Sequence, residues 1–395
     1  MIEIMKTQTA RNTALALVGL LALSVYILAC TSFSPDDTKV LYPVFHRASG
    51  ALGMAVYDRQ ARRSDLVFLP LELEGGADGA AAANYLRGEW LPDGRSLLIA
   101  WTAAKDNEDS LDLALIPSGT RAPFRLFHLS GIKEPGTTFL APFCVAGGRV
   151  FISAGPQEVA RLDLLAGAVV RHPFKDAGKE IRLFPAADGG AFYVESPEPP
   201  ATGLTFGRLD PESFSRSPLL RLTNEVGDGA VFAYDRDGKG LALLEKSNET
   251  NQLVVLRQGH PPFTRALDAK NETLGFGNAG FSFEGDVVWA TFRRVSAGKS
   301  EAAYGLMEIP LNGAPVRETL LIAAAPAGND SDAAFFQGCL SHDGKTVAVD
   351  STYLACLENP IAASDCALFL VDLSEPHREV TKVPIPVPAK HSQLK

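Results

Sequence analysis

Apolar and polar positions follow a recurring grammar in this chain: an apolar strand end, a tight turn carrying Asp or Gly, then a second run of β-branched and aliphatic residues. Trp90-Leu-Pro-Asp-Gly-Arg-Ser-Leu-Leu-Ile-Ala100 shows it in full. The pattern returns at Phe143 to Ile152, Phe184 to Val194, Phe232 to Ala242, Phe281 to Val288 and Cys339 to Val349. The turn glycines Gly94, Gly147, Gly189, Gly238, Gly285 and Gly344 recur at a period of roughly fifty residues, the spacing of a propeller blade. A tight hairpin demands positive φ at one or two positions, which glycine adopts freely and Asp better than most, so Asp-Gly recurs for geometry.

Each turn is followed by a third strand with a shared ending, as in Leu115-Ile-Pro, Leu162-Asp-Leu, Leu209-Asp-Pro and Val371-Asp-Leu. A fourth strand is expected at Phe124 to Leu129, Val169 to Phe174, Leu219 to Leu222 and Val380 to Ile385. Four short antiparallel strands per unit predict an all-β fold, a single β-propeller over residues 39–385 with a Pro-containing tail at 386–395. Residues 39–72 read as a further unit with three strands, Val40 to Phe45, Ala51 to Asp58 and Asp65 to Leu71. A blade short of one strand points to ring closure from the other terminus, around Val383 to Val387, where the prolines restrict pairing to one edge. Seven blades are expected, with six the alternative.

The N-terminus follows a different pattern. Lys6 and Arg11 precede an apolar run from Ala14 to Ala29, and Cys30 closes it behind small Ala29. This resembles the lipobox of bacterial lipoproteins, with Ile27, Ala29 and Cys30 fitting and Leu28 bulkier than usual. The resemblance implies a signal peptide at 1–29, lipidation of Cys30 and a tether at 30–38. The run is shorter than the roughly 18 to 20 apolar residues of a spanning helix, so cleavage is preferred over an uncleaved anchor. Thr31 stands where Asp would retain an enteric lipoprotein in the inner membrane, so the implied destination is the outer membrane, facing the periplasm or the exterior.

Cleavage would leave 366 of the 395 residues and, with Lys6, Arg11 and Glu3 removed, 35 basic and 45 acidic side chains, a balance of −10. That sign disfavours nucleic acid and anionic lipid surfaces as main partners, so membrane attachment has to come from the lipid on Cys30. With 46% hydrophobic residues the chain is globular, and a monomer is expected.

The Trp-x-Pro-Asp-Gly-x-x-Leu pattern at 90–97 is similar to the repeat of TolB-type, WD-repeat-like propellers of bacterial periplasmic proteins. The likeness covers most of 39–385 and is clearest at 90–100, 232–242 and 339–349. Leu91 replaces the Ser usual before Pro-Asp-Gly, and two units lose the Asp. Such folds host scaffolds, lyases, hydrolases and sugar binders alike, so the resemblance leaves function open.

Cys356 and Cys366 flank an excursion at one end of a hairpin in the last unit, a placement that allows the ~4.4 to 6.8 Å Cα separation of a disulfide, and a bridge is expected there. Cys144 and Cys339 fall on inner strands of non-neighbouring units and read as buried reduced thiols. Neither cysteine nor histidine spacing suits a metal. Asp235-Arg-Asp-Gly opens like a calcium loop, but position twelve is Lys246 rather than a bidentate Glu, and turn geometry accounts for the motif. Asp106 to Asp109 and Asn329 to Asp332 read as solvated acidic loops. No nucleophile elbow, zinc-protease motif, dinucleotide fingerprint or P-loop occurs, so no catalytic residue, metal or cofactor is assigned. His46, His128, His172, His260, His342, His377 and His391 are scattered through the units, and His342 replaces Pro in a Pro-Asp-Gly turn.

Long second-to-third-strand loops at Thr102 to Asp109, Arg293 to Glu301 and Tyr353 to Asp365 are the remaining functional clue, set against neutral variation in surface loops. The sequence reading is therefore a lipid-anchored envelope propeller that binds a protein or other ligand such as a glycan. The alternative is an envelope hydrolase or lyase with its site at the tunnel mouth.

Overall fold

A computed structural model gives the architecture. The described residues lie between 31 and 384; within that span 47–50, 69–84, 103–109, 121–122, 133–142, 147, 156, 175–179, 187–189, 197–202, 224–230, 236, 248–249, 268–271, 297, 327–335, 353–365 and 375–376 fall outside the description. Cys30 and Cys356, both assigned from the sequence, are thus outside it.

Seven four-stranded antiparallel sheets form a ring, the seven-blade β-propeller expected. Blade 1 is β1 Ser32–Phe33, β2 Lys39–His46, β3 Ala51–Asp58 and β4 Arg63–Phe68. Blade 2 is β5 Tyr85–Trp90, β6 Ser96–Thr102, β7 Ser110–Pro117 and β8 Arg125–Ser130. Blade 3 is β9 Phe143–Ala146, β10 Arg149–Gly155, β11 Glu158–Asp163 and β12 Val169–Pro173. Blade 4 is β13 Glu180–Pro185, β14 Ala191–Ser196, β15 Leu204–Leu209 and β16 Arg216–Leu222. Blade 5 is β17 Val231–Tyr234, β18 Gly240–Ser247, β19 Thr250–Arg257 and β20 Phe263–Ala266. Blade 6 is β21 Glu272–Phe281, β22 Val287–Ser296, β23 Glu301–Pro310 and β24 Arg317–Pro326. Blade 7 is β25 Gln337–Leu340, β26 Thr346–Asp350, β27 Ala367–Asp372 and β28 Val380–Pro384.

The second and third strands of most blades are apolar on both faces, because each sheet is covered by its two neighbours. In β7 the pattern is buried at six of eight positions, and β26 is buried throughout. The outermost strands instead alternate or are mostly exposed, as in β8 and β12. Separate apolar clusters fill the gaps between blades. Leu98, Leu113, Phe143 and Ile152 join blades 2 and 3; Phe151, Val159, Leu183 and Tyr193 join 3 and 4; Phe192, Phe206, Leu243 and Leu256 join 4 and 5.

Two expectations are corrected. The missing strand of blade 1 is not drawn from Val383 to Val387. It is β1, which pairs Ser32 with Leu41 and Phe33 with Val40, so the first sheet begins inside the expected tether. Every blade is therefore built from contiguous chain, and β28 completes blade 7 by pairing with β27. The loop expected over Arg293 to Glu301 is mostly strand: all four strands of blade 6 run ten residues, and β22 continues to Ser296. Arg293, the first residue of that expected loop, is 1% exposed.

Candidate binding face

Strand direction divides the ring into two faces. The turns from the first to the second strand and from the third to the fourth all lie on one side, the turn face. First strands begin on the opposite side, the entry face, where chain also passes from each second strand to the third.

The turn face is built from repeated carboxylate-capped turns. Asp93 accepts the N–H groups of Arg95 and Ser96 at 2.8 and 3.0 Å; Asp163 accepts those of Leu165 and Ala166; Asp210 accepts those of Glu212 and Ser213. Asp58, Asp343 and Asp372 do the same in their own turns. These side chains hold backbone donors that the tight turn leaves without ladder partners, a second reason for Asp beside its conformational tolerance. Hydrogen bonds to the charged form hold the Asp163, Asp210 and Asp372 carboxyls below the usual value.

Blade 1 departs from the rule in an informative way. Gly94, Gly148, Gly238, Gly285 and Gly344 take positive φ in the first-to-second-strand turns, but blade 1 places Asp37 there, at φ 57°. Its turn reads Ser34-Pro-Asp-Asp37, the Ser-Pro-Asp-x grammar with Asp for Gly, a unit start that sequence reading overlooked. Asp37 reaches across the closing seam to blade 7, accepting the N–H groups of His342 and Asp343 at 2.8 and 2.9 Å, with the His342 Nδ1 at 2.9 Å. Arg59 donates to the Thr346 hydroxyl at 3.2 Å, and the Thr352 hydroxyl donates to the Pro43 carbonyl at 3.1 Å. Phe33, Val40, Tyr42, Ala348 and Leu368 pack the same seam.

On the outer rim of the turn face, blades 2 and 3 carry exposed apolar side chains. Phe124 is 61% exposed, Leu126 54% and Leu165 90%, and Val169 and Val170 are also exposed. Arg125 links the two blades: Nη1 donates to the Leu164 carbonyl at 2.9 Å while the guanidinium stacks 4.9 Å from the Phe127 ring. Leu126, next to this arginine in the strand, takes the opposite side of the sheet, so the contact sets the turns that carry Phe124 and Leu165 side by side without bringing Leu126 to Leu165.

The remaining sequence candidates disperse. His128 meets Asp112 at 2.6 Å on the outer edge of blade 2, and His172 stacks on Phe214 with centroids 5.0 Å apart. Cys144 is buried, which pushes its thiol up to about 12, whereas Cys339 is only partly buried. Cys366 is buried at the start of β27, and no disulfide joins the described cysteines. Asp235 and Asp237 adjoin in the blade 5 turn; burial raises the first carboxyl, and the hydrogen bond to Lys239 lowers the second. Among the described residues no group of three or more His, Cys, Asp or Glu is placed to hold a metal. No helix among them is long and apolar enough to cross a membrane.

No family model and no curated protein sequence matches the chain. Solved structures do resemble it. A protein from Lactobacillus plantarum has a TM-score of 0.52 at 13% identity, covering 89% of this chain and 97% of that one. Hydrazine synthase of Kuenenia stuttgartiensis has a TM-score of 0.50 at 12% identity, with coverage of 91% and 96%. The β-propeller domain of the Trilobed protease from Pyrococcus furiosus has a TM-score of 0.47 at 11% identity, with coverage of 73% and 82%. At these identities the likeness is one of fold.

Proposed function

We propose that this chain is a lipid-anchored, TolB-type propeller of the bacterial envelope, held at the outer membrane through Cys30, that binds another envelope protein on its turn face. The observation that carries the reading is the exposure of Phe124 and Leu165 in adjoining turns of blades 2 and 3, on a face that also exposes Phe283. Exposed apolar side chains beside an arginine have the composition of a protein-binding surface, and a rigid ring spends little conformational entropy in presenting them. The oxidising compartment also implies a bridge between Cys356 and Cys366, detected as a mass gain when thiols are alkylated after reduction but not before.

The test is crosslinked recovery from intact envelopes with the native chain, with Cys30→Ser, and with the double variant Phe124→Ser, Leu165→Asp. A partner recovered by the native chain and lost from the double variant, at unchanged melting temperature, supports the proposal. Equal recovery by the double variant, or no partner above background, overturns it.

A further inference from the structure

We infer that the entry face lies flat against the bilayer, leaving the turn face to soluble partners; this rests on the anchor reading above and adds the orientation of the ring to it. The argument begins at β1. Its two residues pair with β2, the Trp90 N–H donates to the Ser32 hydroxyl at 3.3 Å, and Phe33 is buried in the closing seam. The chain is thus part of the ring from Ser32 onward, and Cys30 precedes it by two residues. Two residues of fully extended chain span at most about 7 Å.

Strand order fixes where that short reach leads. β1 is the innermost strand of blade 1 and touches the innermost strands of blades 2 and 7, so the chain enters beside the central axis. It enters from the entry face, because β1 leads directly into the turn at Ser34 to Thr38 on the other side. An acylated Cys30 therefore emerges near the centre of the entry face. With its acyl chains in the leaflet, the headgroups lie within a residue or two of the ring. Standing the ring on edge would require the tether to pass three strand spacings, about 15 Å, from β1 to β4. Two residues cannot span that distance. Reaching the turn face requires the length of a strand, about 20 Å, and is excluded for the same reason.

Charge supports a contact enforced by the tether. The cleaved chain carries −10, which does not draw it to anionic headgroups, so proximity comes from the covalent lipid. The bilayer then covers the entry-side mouth of the tunnel. Exposed Phe124 and Leu165 on blades 2 and 3 face away from the membrane.

Two exposed lysines mark the faces. Lys299 lies between β22 and β23 on the entry face, and Lys239 lies between β17 and β18 on the turn face. Lys299→Cys and Lys239→Cys are made in the full-length lipidated protein, labelled with a fluorescent maleimide, and reconstituted into phosphatidylcholine vesicles containing headgroup nitroxide lipid. The native chain, labelled identically, supplies the background from its own thiols. Several-fold stronger quenching at position 299 than at 239 is the expected result. Equal quenching, or stronger quenching at 239, in protein that floats with the vesicles overturns the orientation and leaves the anchor intact. Failure of the native lipidated chain to float overturns the anchor reading and the orientation with it. As a second arm, about twenty Gly and Ser residues inserted between Thr31 and Ser32 give a tether of about 25 Å root-mean-square length. That insertion abolishes the difference without abolishing flotation; a difference that survives it overturns the inference that the short tether sets the orientation.

Discussion

The junction between blades 3 and 4 and the seam between blades 7 and 1 solve the same packing problem with opposite chemistry. At the first, cations reach for carbonyls and carboxylates: Arg161 donates to the Pro211 carbonyl and to Glu212, and Arg149 pairs with Glu212 at 2.5 Å. The Phe214 ring lies 5.4 Å from the Arg161 guanidinium and stacks on His172. At the seam, a carboxylate reaches for backbone N–H groups, and the acceptor is Asp37 in a left-handed conformation. The chain runs on from blade 3 into blade 4, so those sheets stay neighbours even when their contacts loosen. No peptide links blade 7 to blade 1. The seam therefore needs contacts specific in register, and two backbone donors on one carboxylate supply that specificity.

Removing the clasp is the sharpest way to break this comparison. Asp37→Ala keeps the left-handed strain and loses all three contacts, and is expected to destabilise the ring by about 3 kcal/mol, read from the midpoint of denaturant unfolding. Asp37→Gly relieves the strain and should cost visibly less; equal losses would show that strain is irrelevant there. Asp350 gives the next effect. It is fully buried on β26, its Oδ1 accepts from Thr352, its Oδ2 has no partner among the described residues, and burial pushes its carboxyl up to about 7 from 3.8. A raised folded value means that the stability it lends is complete below 3.8 and lost as pH rises through about 7. Asp350→Asn should therefore stabilise the fold by about 2 kcal/mol at pH 8, by less at pH 5 and by least below pH 4. A gain that does not depend on pH would contradict that origin. At the internal junction, Arg161→Ala should cost about 1 kcal/mol, because the continuing chain and the apolar cluster remain. A loss as large as that of Asp37→Ala would erase the distinction between junction and seam. Smallest is His342→Ala, which keeps the backbone donors and removes an exposed ring contact, an expected loss of about 0.5 kcal/mol in the same unfolding measurement.

Much of the ring was legible because its signals are local. Alternation, turn residues and the repeat period locate the hairpins at Trp90 to Ala100 and Phe232 to Ala242, and the fourth strands fall within a few residues of expectation. What escaped notice has local causes too. β1 is two residues long, too short to show a period, and it adjoins the apolar signal-like run that dominates the N-terminus. Asp37 conceals the start of blade 1 because glycine marks the equivalent turn in five other blades. Arg293 and Arg294 interrupt the hydrophobic pattern of β22, yet Arg293 is buried and Arg294 is paired with Glu272 and Glu318, so the strand continues through them. The adjoining turns of blades 2 and 3 were illegible for a different reason. Phe124 and Leu165 are far apart in sequence, and the Arg125 contact shows that the turns carrying them lie side by side.

Because no sheet borrows a strand, the molecule behaves as a split washer rather than a buckled belt. Every hairpin joins neighbours in sequence, whereas the contacts that close the ring, such as Asp37 with His342 and Arg59 with Thr346, join residues nearly three hundred positions apart or more. The gap between blades 7 and 1 is then interchangeable in principle with any other gap between blades. A circular permutant opened between blades 3 and 4 and joined by a flexible peptide across the present gap should fold to the same annulus, with the burden of sealing moved to the arginine-rich joint.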